Sequence, residues 1–417
     1  MLNQLRKYYF YLLLFNITLS ANGWDILGLP IGQLLYWILL VLGVKILLKT
    51  GYNVWGLLLF LLTFIFKFSY LFFSFPYTDV IAEFTSGFLF VLTGSTLYGN
   101  NPSIIYRQLI SFFALSIPFM VLQKIGVSTF FYAWNAELFH PNSFYSFDIE
   151  EDLGVIFKDL PLFNTLFVEL IDLTPVMYQQ RPTGLLYSNN VLSVIISLAL
   201  ALHFSLNHNI KRKFKYIVLA TIIVLSMSTL VYGVLVILFI YYYFINKNKN
   251  LKSNALKTFW FTLVMLFFHY IFFPGLTLVS IGVINAVSIV TRFAEIFIAL
   301  GLNYFDEYID LLEIGIDYFD KDGSFSLIAA LIKNKFSYIF LIFFLLMIRI
   351  YYKNLKKFQG SVIIYVTLFF VCVLTQLGVN VVIAPSFQLF LGIAFFPIFR
   401  LKILKLKKYD KKLSREY

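Results

Sequence analysis

Runs of roughly 20 apolar residues recur along the whole chain, each long enough to cross a hydrocarbon core of about 30 Å as a helix. The runs are apolar on every face. None shows the short alternating pattern of a membrane barrel strand, so the pattern predicts a bundle of helices. The spans read as 8–22, 27–48, 53–75, 79–98, 104–122, 184–206, 214–229, 230–245, 257–276, 336–350, 361–378 and 381–399. This is an all-α, polytopic helical membrane protein with about twelve transmembrane helices in a single integral domain, residues 1–417.

The stretch Phe214 to Ile245 is too long for one ordinary crossing and is basic on both flanks, with Lys211-Arg212-Lys213 before it and Lys247, Lys249 and Lys252 after it. If both flanks lie on one side, the stretch crosses twice, turning at the polar break Ser226-Met-Ser-Thr229. Two connections are long, 123–183 and 277–335, and are expected on the external side. An apolar segment inside the second, Leu278 to Leu300, is expected to pack on or dip into the outer face. A full crossing there would place the lysine-rich tail outside.

Composition agrees with this plan: 60% of residues are hydrophobic and 13% charged, too little polar cover for a water-soluble domain. The net charge of +12 is distributed in short clusters between spans and in the tail Arg400-Leu-Lys-Ile-Leu-Lys-Leu-Lys-Lys. Of 33 Lys and Arg, 25 fall on the side of the two termini, which assigns both termini to the cytoplasm. A nucleic-acid partner would call for a contiguous basic surface on a soluble fold and is not expected. The single cysteine, Cys372, excludes a disulfide framework and a cysteine metal site. Tyr8 to Ser20 reads as a first span and not as a cleaved leader.

The polar residues concentrate in the two long connections. Arg181-Pro-Thr-Gly184-Leu-Leu-Tyr187-Ser188-Asn189-Asn190 sets an arginine at the mouth of a span, then a Pro/Gly turn, then two amides. Arginine keeps its charge and presents a fork of donors that suits phosphate. Amides at a lipid boundary are costly without a partner. The same residues also suit a helix start with a snorkelling arginine and capping amides. Arg292 stands among apolar neighbours in the second connection, where a pair with Glu295 on an interfacial helix is the plainer account. Asp320 and Asp322, just before the tenth span, could serve as general base toward a sugar hydroxyl or simply solvate the loop. Lys67 and Glu83 lie at similar depth on consecutive spans and could form a buried pair. His269 lies deep in the ninth span, with packing as its expected role. Phosphate loops, dinucleotide glycine motifs, zinc spacings and serine elbows are missing, so no cofactor or metal is expected.

On these residues the chain resembles the bacterial O-antigen polymerase (Wzy) family and, more distantly, the O-antigen ligases. The resemblance covers most of the length. It rests on the span plan, on Arg181-x-x-Gly184 with Asn190 after it, and on the polar break Ser226 to Thr229. Arg292 and Asp322-Gly-Ser324-Phe325 complete it. Two departures stand out: the break lacks the arginine that relatives often carry, and the second connection lacks the histidine usual in ligases, which favours polymerase.

The resemblance implies a metal-independent glycosyltransferase of the GT-C type in the bacterial inner membrane. Such an enzyme transfers a growing glycan from undecaprenyl diphosphate to a lipid-linked repeat unit at the external face. Arg181 and Arg292 would hold the diphosphate, and Asp320 or Asp322 would activate the acceptor. Gly184, Tyr187, Asn189 and Asn190 would bind carrier or sugar, and Phe130, Phe131, Tyr132 and Trp134 could stack on sugar rings. Implied partners are undecaprenyl-diphosphate-linked oligosaccharide and membrane lipid, with a chain-length regulator and a flippase as further candidates. The competing readings are a flippase for lipid-linked oligosaccharide and an O-antigen ligase.

Overall fold

The computed structural model describes residues 2–21, 25–26, 29–50, 77–124, 182–186, 189–206, 214–273, 345–346, 348–355, 362–378 and 385–399. The described residues are almost all helical. The helices are α1 (Leu2–Ala21), α2 (Ile31–Thr50), α3 (Tyr77–Tyr98), α4 (Ser103–Lys124), α5 (Asn189–Ser205), α6 (Phe214–Ser226) and α7 (Thr229–Ile240). After these come α8 (Lys249–Phe272), α9 (Val362–Gly378) and α10 (Pro385–Phe399). A π-helical turn, Tyr241–Ile245, extends α7, and a two-residue antiparallel bridge pairs Asp25–Ile26 with Leu29–Pro30.

Local sequence explains most of the helix ends. Pro102 and Pro385 precede or open α4 and α10, where the missing N–H breaks no helical bond. The Asn248 side chain caps α8 by accepting from Asn250 N at 3.0 Å. That cap starts α8 eight residues before the expected span at 257, because lysines bar a residue from lipid without barring it from a helix. Conversely α5 starts at Asn189, not at 184, because Gly184 takes φ +65° and residues 183–186 form a turn.

Alpha4 and α8, 22 and 24 residues long, are long and apolar enough to cross a membrane. At 1.5 Å per residue each exceeds about 30 Å. Shorter apolar helices cover Gly32–Leu48, Val191–Ser205, Phe214–Ser226, Thr229–Ile245, Val362–Thr375 and Pro385–Phe399. The expected span 53–75 lies outside the described residues, and 336–350 is described only from residue 345.

Buried contacts orient the helices. Tyr98 Oη donates to Arg6 O at 3.0 Å and accepts from Phe10 N at 3.2 Å, which joins the end of α3 to the start of α1. Gln108 of α4 reaches Lys7 O of α1, and Tyr365 of α9 reaches Gly99 O just after α3. Tyr242 Oη lies 2.5 Å from Thr367 Oγ1, adding the end of α7 to the same level. Most of the described lysines and arginines lie near this basic end: Arg6, Lys7, Arg107, Lys215, Lys247, Lys249 and Lys252. Alpha2 and α3 run parallel, since Tyr36 packs on Phe90 and Gly43 lies by Thr93.

The stretch 214–245 turns back on itself. Tyr216 near its start donates to Asn254 Oδ1 at 2.6 Å, and Phe239 near its end stacks on Phe259 at 4.4 Å. Both contacts fall in the first half of α8, so the chain leaves the basic end along α6 and returns along α7. The reversal uses Met227 at φ 47° and the extended Ser228, within the polar break expected to turn.

The tightest seam joins α3 and α10. A Cβ on Gly94 would strike the Leu389 carbonyl, and one on Gly392 would strike Val91 O and Ser95 N. Helix backbones therefore touch directly, the close approach that small residues permit.

Polarity is distributed inside out on α8. Asn254, Thr258, Thr262 and His269 are buried, whereas Trp260, Val264, Phe267, Phe268, Ile271 and Phe272 are exposed, Phe272 at 71%. Alpha2 likewise exposes Leu34, Trp37, Ile38, Val41 and Leu48.

Candidate functional site

At the end of the bundle opposite the basic end, the turn Thr183–Leu186 is held against α4. Leu186 N donates to Thr183 O at 3.2 Å, closing a β-turn with Gly184 at its first central position. Positive φ at that position alone is the signature of a type II′ turn. Gln123 grips it from both sides: its Oε1 accepts from Thr183 N at 3.1 Å and Gly184 N at 2.9 Å, and its Nε2 donates to Gly184 O at 3.2 Å. Two turns further back, Ser116 Oγ accepts from Leu185 N at 3.1 Å. A Cβ on Gly184 would collide with Ser116 Oγ and press on Met120, so glycine is required by space as well as by backbone. Four backbone groups, two of them on buried Gly184, are thereby satisfied.

This clamp sets the entry to α5. Pro182, Gly184 and Leu186 are buried, and Asn189 and Asn190 form the first helical positions of α5. Arg181, Tyr187, Arg292, Asp320 and Asp322 lie outside the described residues, as do Lys67 and the aromatic group Phe130 to Trp134. Glu83 belongs to α3. Of the expected site residues, the structure thus places Gly184 fully and the backbone of Asn189 and Asn190.

Gln123 and Lys124, expected to open the first long connection, are instead the last residues of α4. Lys124 is 6% exposed. Its Nζ reaches Met227 Sδ at the α6–α7 reversal, and it lies in electrostatic range of His269. His269 packs at a tilt against Phe273, with ring centroids 5.3 Å apart, and is buried. The end of α4, the 183–186 turn, the α6–α7 reversal and the last turns of α8 therefore meet in one place. Gly184, His269 and the polar break Ser226 to Thr229 stand out in the sequence, whereas Gln123 and Lys124 do not. A glutamine and a lysine at the edge of an apolar run look like ordinary span ends, and nothing in their spacing marks them.

A second polar cluster lies at the basic end and ties four helices. Tyr106 Oη is 2.6 Å from His203 Nδ1, and His203 Nε2 is 2.7 Å from Thr258 Oγ1. Thr258 spends its one hydroxyl proton on Asn254 O at 2.8 Å, so its oxygen accepts from His203 Nε2–H. A neutral His203 then carries its proton on Nε2 and accepts from Tyr106 at Nδ1. Asn254 Nδ2 donates to His203 O at 2.7 Å, and Lys215 lies over the Tyr106 ring at 5.6 Å. His203 is 0% exposed and its polar atoms are bonded, which suits a staple between helices and leaves no face for a reactant.

Among the described residues, no group of His, Cys, Asp and Glu could hold a metal ion. Comparison with known proteins finds no matching family model, no matching curated protein and no matching solved structure.

Proposed function

We propose that this chain is a multi-pass membrane glycosyltransferase of the polysaccharide-polymerase kind, working at the face opposite its basic end. Lipid embedding is supported by the inverted polarity of α8 and the apolar exposure of α2, which would be prohibitive against water and favourable against acyl chains. The alternation of helix direction and the gathering of lysines and arginines at one end support a many-span chain with that end in the cytoplasm. Alpha2 and α3 running parallel is the relationship that the expected span 53–75 between them requires.

The observation that carries the reading is the clamped turn at Gly184. It begins two residues after Arg181, it lies at the non-basic end, and three hydrogen bonds to Gln123 hold it in place. An arginine's permanent charge and fork of donors suit an anion that appears only as the reaction proceeds. In the proposed step the bond between the donor sugar's anomeric carbon and the diphosphate oxygen breaks. The acceptor hydroxyl oxygen bonds to that carbon, its proton passes to Asp320 or Asp322, and undecaprenyl diphosphate leaves with the electron pair. Arg181 and Arg292 would balance the charge on that leaving group.

Gel analysis of surface glycan after gene deletion tests this. Loss of the long-chain ladder with single repeat units still attached is the expected result. Loss of all attached glycan would assign the chain to ligation or flipping. Arg181→Ala and Arg292→Ala, at unchanged protein level, should each cut polymerisation by about 100-fold or more. Full-length chains from both variants would overturn the clamp.

A further inference from the structure

We infer that α8 carries a site for an anionic phospholipid along one exposed stripe, with the headgroup phosphate held by Lys249 and Lys257 at the basic end. The site rests on the lipid embedding proposed above and not on the glycosyl transfer. Lys249, Lys257, Trp260, Val264, Phe267 and Ile271 follow one another at helical spacing, with Ser253 between the first two, and all are exposed. The stripe therefore runs from cations through an indole to a purely apolar surface. A phospholipid presents its phosphate, ester groups and acyl chain in that same order. An indole, apolar in body with one polar N–H, suits the level between headgroup and chain.

The charge on this stripe has no counterpart on the described helices around it. Lys249 and Lys252 occupy the first turn of α8, the positive end of its dipole, where carboxylates are favoured and ammonium groups are not. Neither α8 nor α5, α6 and α7, which pack against it, contains an Asp or Glu. Lys215 of α6 and Lys247, in the connection from α7, add further positive charge at this end. Phe244 and Ile245 are exposed just before Lys247, so apolar surface gives way to cationic surface on both sides of the α7–α8 connection. A second copy seated on the same stripe through a two-fold axis would set these lysines against one another. Anionic lipid is the occupant that the charges favour.

The test uses the full chain in a neutral detergent, with phosphatidylglycerol, phosphatidylcholine of the same acyl chains and inorganic phosphate as probes. Phosphatidylglycerol should raise the melting temperature saturably and stay bound in native mass spectra. Phosphatidylcholine and inorganic phosphate should do neither. Lys249→Gln combined with Lys257→Gln should weaken phosphatidylglycerol binding about 5-fold per lysine, about 25-fold together, and the difference should shrink in high salt. Both side chains are exposed, so the double variant keeps its fold. Lys45→Gln, which changes an exposed lysine on α2, should leave binding unchanged. Equal binding of the two lipids, wild-type affinity in the double variant, or an equal loss with Lys45→Gln overturns the site. Stabilisation by inorganic phosphate alone overturns lipid as its occupant. A chain that stays monodisperse without detergent overturns the embedding itself.

Discussion

Gln123 and Gly184 are 61 residues apart in sequence and exchange hydrogen bonds in both directions, with Gly184 N donating at 2.9 Å and Gly184 O accepting at 3.2 Å. Neither partner can be replaced without loss. Gly184→Ala would place a side chain at φ +65°, costing roughly 1–2 kcal/mol for the backbone alone, and would push against Ser116. Melting in detergent should fall by at least that amount, and the glycan ladder should shorten. Gln123→Ala should act alike by leaving two backbone N–H groups without their acceptor, at about 1–3 kcal/mol each. A fully stable and active Gly184→Ala protein would mean that the turn is not held as described.

Glycines elsewhere should respond in opposite directions. Gly392→Ala drives a methyl group into Val91 O and Ser95 N, where no flexible side chain can yield. Forced separation of α3 and α10 should destabilise by about 1–3 kcal/mol or more. Gly233, exposed within α7, has nothing within 4 Å of its added Cβ. Gly233→Ala should therefore stabilise by about 0.5–1 kcal/mol. Unfolding of the two variants side by side checks both signs in one experiment.

The Tyr106–His203–Thr258 chain predicts a graded series. Tyr106→Phe removes the donor to His203 Nδ1 and should cost about 1–3 kcal/mol. His203→Ala removes both ring bonds and leaves a void between α4, α5 and α8, so its cost should be larger. Nitrogen NMR of the labelled ring should report the proton on Nε2. A proton on Nδ1 would contradict the chain of donors traced through Thr258 and Asn254.

Gln388 offers a stabilising change. Its side chain is 1% exposed, and its Oε1 has no hydrogen-bond partner. Gln388→Met keeps length and volume while removing the unpaired oxygen. The melting temperature should hold or rise, by the equivalent of about 1 kcal/mol. A marked fall would show that the oxygen is satisfied in the working protein.

The apolar runs located most helices to within a few residues, as with 79–98 against Tyr77–Tyr98 and 104–122 against Ser103–Lys124. Continuous apolarity over this length leaves the backbone only one way to satisfy its own polar groups. The reversal at Ser226 to Thr229 was legible for a different reason: lysines on both flanks of 214–245 forced the two ends together. Misjudged boundaries arose where apolarity and helicity part, at the lysine-bearing start of α8 and at Gly184.

The candidate site was legible at Gly184, the α5 entry, the break at 226–229 and His269. Ser116, Gln123 and Lys124 all come from α4, and each is unremarkable beside its sequence neighbours. Their meaning comes from a shared location that depends on how α4, α6 and α8 cross.

From the residues alone follow the helical class, the chain reversal within 214–245 and the segregation of basic residues, because each depends on composition and period along the chain. The tertiary structure decided which helices touch through glycine, which polar side chains turn inward and what holds Gly184. Those outcomes depend on contacts between segments far apart in sequence, whose geometry no local pattern encodes.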